Sequence, residues 1–253
     1  MIHLERQLRI LKILEQNPSV RVADLSAWLG VSRATVRRDL DHLHQIGQVR
    51  RIHGGAMLAE KVVPEAPVLQ RSAENLEEKR RIGRLAASLI QPGDTVFIGS
   101  GSTTMEVARN LAGRTEITVI SNALTVINLL SHEAGINLIA TGGFLRPSEL
   151  SFIGHITELA LRELRPQKVI MGIRSISLDE GLTNDYLPEV STDRVIIQSA
   201  PEVILVADHT KFGKVSTALV APITAVHTLV TDSGIDPTIL AAVREVVRNV
   251  LLA

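Results

Sequence analysis

The chain contains no cysteine. That excludes disulfides and thiolate chemistry, and it fits a reducing compartment. Aromatic residues are almost absent, at one Trp, one Tyr and four Phe in 253 residues. Leu, Ile, Val and Ala must therefore build the core, and an apolar content of 45% suffices for a large one. No uncharged apolar stretch approaches the ~20 residues of a membrane span. The opening residues, Met1 to Arg6, lack the apolar run of a signal peptide, so a cytoplasmic location is expected. Net charge is also missing, with 27 Lys/Arg against 27 Asp/Glu. Its distribution is uneven: residues 1–57 hold nine Lys/Arg and five Asp/Glu, a net of +4, and the remainder carries −4. A basic head on an acidic body points to a polyanion partner for the head alone.

What is present is organised around Gly30-Val31-Ser32-Arg33-Ala34-Thr35-Val36-Arg37-Arg38-Asp39-Leu40. Gly30 ends one apolar-periodic segment. Ser32 can cap the next, because its hydroxyl accepts from an orphan helix N–H. A helix over 33–46 places Val36, Leu40 and Leu43 on one face. Arg33, Thr35, Arg37 and Arg38 then face outward or sideways. A short helix entered by a tight turn, with cationic and hydroxyl side chains in its first two turns, suits the DNA major groove. The plainer alternative is a solvated basic helix in an ordinary bundle. Helices over 4–16 and 22–29 precede it. Their expected inner residues are Leu4, Leu8, Leu11 and Leu14 or Ile10, then Val22, Leu25 and Leu29, with Trp28 in the core. Gly47 breaks the pattern, and 49–56 reads as a β-ribbon with a glycine turn. Its Arg50, Arg51 and His53 are placed to reach phosphates or a minor groove. Three helices and a ribbon make a winged helix-turn-helix over 1–57.

Residues 58–72, with Pro64 and Pro67, read as a linker, and 73–90 as a helix stopped by Pro92-Gly93. From there short apolar runs alternate with helical segments. Strands are expected at 95–98, 117–120, 137–140, 168–171, 203–207 and 227–230. Helices fit near 103–111, 123–130, 156–164 and 192–200, and a last one over 237–251. The fold class is α/β, a mostly parallel sheet covered by helices over 73–253, following the N-terminal winged helix-turn-helix.

Ligands of open α/β sheets gather at the carboxyl ends of the strands. The first strand is followed by Gly99-Ser100-Gly101-Ser102-Thr103-Thr104, which opens a helix. Small residues let the backbone approach an anion, and hydroxyls and helix N–H groups can bind it. The loop is neither a Walker A nor a Gly-x-Gly-x-x-Gly sequence, so no nucleotide is indicated. Neither a cofactor nor a metal is called for. Further strand ends bring Ser121-Asn122, Thr141-Gly142-Gly143, Gly172, and Asp208-His209-Thr210-Lys211. Glu189 is a further candidate for the same rim. Each alone reads as a polar turn or cap, and His209 and Asp232 are taken as such. Together they supply phosphate donors, and Glu189 and Asp208 supply carboxylates for sugar hydroxyls.

Val-Ser-x-x-Thr-Val-Arg-Arg-Asp-Leu and Arg-Ile-His-Gly-Gly-Ala resemble the DNA-binding head of the DeoR family of bacterial transcription regulators. Gly-Ser-Gly-Ser-Thr-Thr, Ser-Asn, Gly-Gly, Glu-Gly-Leu and Ala-Asp-His-Thr-Lys-Phe-Gly resemble its sensor domain, across about 73–235. The resemblance implies a fold related to ribose-5-phosphate isomerase and CoA transferases. It implies a repressor of carbohydrate or polyol genes that binds operator DNA, senses a phosphorylated sugar or polyol, and forms a homo-oligomer. It also implies that Ser100 to Thr104 hold the phosphate and that Asp208 and Lys211 line the pocket. Arg174, Ser175 and Asp193 depart from the family pattern. The alternative function is a sugar-phosphate isomerase with an added DNA-binding head. Such an enzyme needs a base with an orienting partner, and the sequence displays no such pair.

Overall fold

The computed structural model describes all residues except 1–2, 18, 46–48, 53 and 59–65. The chain divides into two compact units, Met1–Glu65 and Ala66–Ala253. The second unit thus begins inside the stretch read as linker, and residues 66–72 are part of it.

The first unit contains α1 (His3–Gln16), β1 (Val20–Arg21), α2 (Val22–Leu29), α3 (Arg33–Gln45), β2 (Val49–Ile52) and β3 (Gly55–Leu58). Gly30 ends α2 in the left-handed conformation, at φ 65, which a residue without Cβ adopts at little cost. Ser32 Oγ accepts from Thr35 N at 3.1 Å and so caps α3. Ile10, Leu14, Val22, Leu25, Leu29, Val36, Leu40 and Leu43 close on one core. The strands pair antiparallel in the order β1-β3-β2, so the ribbon gains a third strand from residues 20–21. The side chains of Leu4 and Leu8 lie outside the described residues. Trp28 is 59% exposed, against the expectation. It sits about 100° round the helix from Leu29, off the buried stripe.

The second unit starts with α4 (Val68–Arg71) and α5 (Leu76–Ser88). Then follow β4 (Thr95–Ile98), α6 (Ser102–Arg109), β5 (Ile117–Ser121), α7 (Leu124–Leu130) and β6 (Ile136–Ala140). Next come the hairpin β7 (Phe144–Arg146) and β8 (Ser151–Ile153), α8 (His155–Glu163) and β9 (Lys168–Met171). After them come β10 (Ser175–Ser177), β11 (Gly181–Asn184), α9 (Leu187–Gln198), β12 (Glu202–Val206) and β13 (Ala218–Ala221). The chain closes with β14 (Thr228–Thr231), α10 (Pro237–Val246) and β15 (Asn249–Leu252). Seven strands form one parallel sheet in the order β15-β14-β12-β9-β4-β5-β6. Alternate residues serve opposite faces. Val96 and Ile98 join the core under α5, α6 and α7, whereas Phe97 joins the core with Leu161, Val195 and Val243. A smaller antiparallel sheet, β10-β11-β13, is added beside it. No helix among the described residues is long and apolar enough to cross a membrane.

Two boundaries differ from the sequence reading by more than three residues. The helix expected at 192–200 starts at Leu187, with Pro188 in its first turn, where a missing N–H costs nothing. The helix expected over 237–251 ends at Val246, and residues 249–252 pair with β14 instead. A short apolar run such as Val250-Leu251 fits either state until its neighbours are known.

Candidate functional site

The strand order reverses direction at β4. From it the chain moves outward through β5 and β6, then returns on the other side at β9. The crevice at the carboxyl ends of β4 and β9 is therefore the topological switch point, where open α/β sheets bind ligands. Its walls are Gly99-Ser100-Gly101 and Gly172. Gly99 N donates to Ile170 O at 2.9 Å. A Cβ on Gly172 would lie 3.8 Å from both Ser100 O and Val206 O, so the backbones run close together.

Gly101 precedes α6 at φ 138 and supplies no side-chain cap. Thr104 Oγ1 donates back to Gly101 O at 2.9 Å. Ser100, Ser102 and Thr103 have no side-chain hydrogen bond among the described residues, and Ser102 and Thr103 are buried. An uncapped helix start with unengaged hydroxyls can accept an anion. Asp208 follows β12 and is buried. One of its oxygens accepts from Thr210 N at 3.0 Å and from Thr210 Oγ1, shaping the turn His209–Lys211. His209 Nδ1 lies 2.9 Å from Asp232 Oδ2, so these two serve each other, as expected of polar caps.

Other expected rim residues also make internal contacts. Ser121 Oγ donates to Ile98 O at 2.7 Å and accepts from Ala123 N at 3.0 Å. Asn122 Nδ2 donates to Phe152 O at 2.9 Å, while its buried Oδ1 has no partner among the described residues. Gly142 and Gly143 both have positive φ. Thr157 Oγ1 donates to Gly142 O at 2.7 Å, and a Cβ on Gly143 would collide with that hydroxyl. Glu189 sits on the first turn of α9 rather than in a loop. It accepts from Arg146, from Ser151 Oγ at 2.9 Å and from Asn184 Nδ2 at 3.3 Å. Arg146 stacks 4.3 Å over the Tyr186 ring. Asn184 also donates to Asp193 at 2.9 Å. Burial and the neighbouring Glu189 carboxylate push the Asp193 carboxyl well above its ordinary pKa, against the pull of Asn184 and Arg146. This network fastens the β7–β8 hairpin to α9.

No local pattern marks Lys79 in the sequence. It lies on α5, 3% exposed, and its Nζ donates to Arg71 O and Glu74 O, both at 2.6 Å. Burial lowers its pKa; Asp208 opposes that, and Lys211 and Arg71 add to it. Lys79 thus shares an electrostatic neighbourhood with the residues after β12. Only a helix-to-strand path through three dimensions reveals this.

In the first unit, Ser32 at the cap and Arg33, Arg37 and Arg38 on α3 are exposed, and Thr35 is partly exposed. Arg33 and Arg37 share a face at a spacing of four. From below, Arg6 clamps Asp39, with Nε to Oδ2 at 2.5 Å and a second bond of 3.0 Å. Arg51 pairs with Asp41 of α3 at 3.5 Å. The Arg50 side chain and His53 lie outside the described residues.

Family models match both units, the DeoR-like helix-turn-helix domain over residues 6–62 and the DeoR C-terminal sensor domain over 74–233. The transcriptional repressor AccR of Agrobacterium fabrum is 36% identical over 97% of this chain and 95% of its own. The glycerol-3-phosphate regulon repressor of Escherichia coli is 34% identical over 92% of both. Ribose 5-phosphate isomerase A of Methanocaldococcus jannaschii superposes on 55% of each chain at 16% identity and a TM-score of 0.42, a degree of likeness that decides nothing about chemistry. The relatives that span the whole chain are transcriptional regulators, not enzymes. With both halves matched in order and at full length, the chain belongs to the DeoR family of DNA-binding transcription regulators.

Proposed function

We propose that this chain represses carbohydrate or polyol genes from an operator and is controlled by a phosphorylated sugar or polyol held at the switch point. The observation that carries the reading is the uncapped start of α6, with the Ser102 and Thr103 hydroxyls unengaged at the carboxyl edge of β4. Ser100, Gly101, Ser102, Thr103 and Thr104 cradle the phosphate, with Lys211 adding a charge-assisted contact. Asp208 faces the polyol end. Glu189, Ser121, Asn122, Gly142 and Gly143 shape the walls. On α3, Arg33, Thr35, Arg37 and Arg38 read or hold DNA, with Ser32 fixing the helix start and Arg50, Arg51 and His53 flanking it. The glycerol-3-phosphate regulon named for one relative supports the phosphorylated class.

The test is a thermal-shift screen of the full chain against sugar and polyol phosphates and their unphosphorylated parents. At 100-fold its dissociation constant, a ligand adds roughly 2.7 kcal/mol to stability. Stabilisation by a phosphorylated compound, but not by its parent, is expected. Ser102→Glu places a carboxylate where the phosphate sits. It should abolish the shift and leave operator affinity without effector intact. Native effector affinity in that variant would put the site elsewhere.

A further inference from the structure

On the face of the parallel sheet covered by α5, a cleft of about 380 Å³ opens between α5 and the edge strand β15. Arg81, Arg84, Leu85, Ser88, Leu252 and Ala253 line it. Arg81 and Arg84 stand three apart on α5, so their guanidinium groups reach the same side of the helix. Both are exposed, and neither has an ion pair among the described residues. Arg80 beside them is taken by Glu77. Leu85 is half-buried and Leu252 is 41% exposed, so apolar surface accompanies the two cations. Strand β15 is the outermost of its sheet. Its sequence, Asn249-Val250-Leu251-Leu252, has neither the charge nor the proline that blunts an open edge.

The β10–β11 hairpin carries the complement. Its strands pair from Ser175 with Thr183 to Ser177 with Gly181, leaving Leu178-Asp179-Glu180 as the tip. Glu180 N donates to Ser177 Oγ at 3.2 Å and Gly181 closes the turn at positive φ, so the tip is shaped before it meets a partner. All three tip residues are exposed, and neither acid has an ion pair among the described residues. The tip cannot fill the cleft of its own chain. Its hairpin packs through Ile176 and Leu182 on one core of the sheet, whereas Leu85 and Leu251 pack on the core of the other face. The body behind the head is net acidic, which disfavours DNA as the occupant of this cleft.

We propose that the Arg81–Arg84 cleft receives the Leu178–Glu180 tip of a second copy of this chain. Asp179 and Glu180 meet the two guanidinium groups, and Leu178 meets Leu85 and Leu252. Around a twofold axis the contact forms twice, each copy giving one tip and one cleft. A single tip covers far less than the ~1,200–2,000 Å² of a stable interface, so the contact works doubled and together with the open edge of β15. The exposed ion pairs set register and partner choice, and salt weakens them.

The experiment uses the full chain in three forms: the parent, a cleft variant carrying Arg81→Glu and Arg84→Glu, and a tip variant carrying Asp179→Arg and Glu180→Arg. Analytical ultracentrifugation across micromolar concentrations, at low and high salt, gives the mass of each. Each variant alone sets like charges across the contact and should self-associate about tenfold or more weakly than the parent at low salt. An equimolar mixture pairs every reversed cleft with a reversed tip and every native cleft with a native tip. It should regain the parent's mass, which no misfolded surface would do. Parent mass in both variants, or a mixture that stays dissociated, overturns the proposal. So does a parent that is monomeric throughout. Weakened operator binding in the cleft variant with its mass unchanged gives the cleft to DNA and overturns the proposal as well.

Discussion

Arg37 and Arg38 are adjacent on α3 and both exposed. Neighbours on a helix diverge by about 100°, so both cannot address one base edge. On the proposed function, one is expected to read a guanine and the other to hold phosphate. Removing a base contact costs ~1–3 kcal/mol at one operator position, whereas removing a phosphate contact weakens all sequences alike and flattens the salt dependence. Titrating Arg37→Ala and Arg38→Ala against operator and scrambled DNA across salt should give one variant of each kind; native affinity in both would refute the placement. Ser32, Arg33, Arg37 and Arg38 were legible in the sequence because capping and outward display are local properties. So was the Gly99–Thr104 loop, since small residues at a strand–helix junction carry their own geometry. Glu189 was legible as a carboxylate but not as one enclosed by Arg146, Ser151 and Asn184, because those partners come from three other elements. Lys79 was silent for the same reason: its i−5 and i−8 carbonyl bonds belong to a turn, not to a helix repeat.

At the scale of elements, the amino edge of the sheet is tied by Asp94. Its Oδ2 accepts from Gln91 N at 2.7 Å and from Lys168 Nζ at 2.5 Å, joining the end of α5 to β4 and β9. Burial alone would raise its pKa, but the bonds from Gln91 and Lys168 outweigh it and hold the carboxyl below its ordinary range. A carboxylate with a depressed folded pKa stabilises above its unfolded pKa and loses that contribution as pH falls through the folded value. Asp94→Asn should therefore cost about 1–2 kcal/mol near neutral pH. The gap to the parent should close as pH drops below the ordinary carboxylate range, and urea melts across pH would show it. A gap independent of pH would assign the loss to packing. The parallel strands themselves were readable as Val/Ile runs spaced by helices, and six of the seven appear where expected. The seventh, β15, and the strands β7, β8, β10, β11 and β13 were not. They are three or four residues long and lack the helix-spaced setting that marked β4, β9 and β14, so only partners elsewhere in the chain make them strands. Gly181 shows the dependence: at φ 74, any Cβ there would strike Ala221 O of β13.

For the molecule as a whole, affinity for DNA is a question of number. One winged head offers ~600–1,000 Å² of interface, too little for tight specific binding. Two heads on a symmetric oligomer gain ~10²–10⁴ in avidity when linker and half-site spacing match. The final helix buries Val243 within its own unit, and Val247 after it is buried too. Val246 at its end is 43% exposed, but more exposed apolar side chains lie elsewhere. Phe144 on β7 is 68% exposed and Leu159 on α8 is 60%, with Ile156 beside it. These elements flank β8, and apolar residues grouped on neighbouring elements mark contact surfaces more than scattered ones do. Light scattering at micromolar concentration should give a dimer or a larger species. Leu159→Glu should lower the mass and reduce affinity for a paired operator by ~10²–10⁴. Affinity for a single half-site should stay the same, because the heads are untouched. A parent chain that is strictly monomeric with and without operator would refute the assembly. An unchanged mass in Leu159→Glu would move the contact to another face.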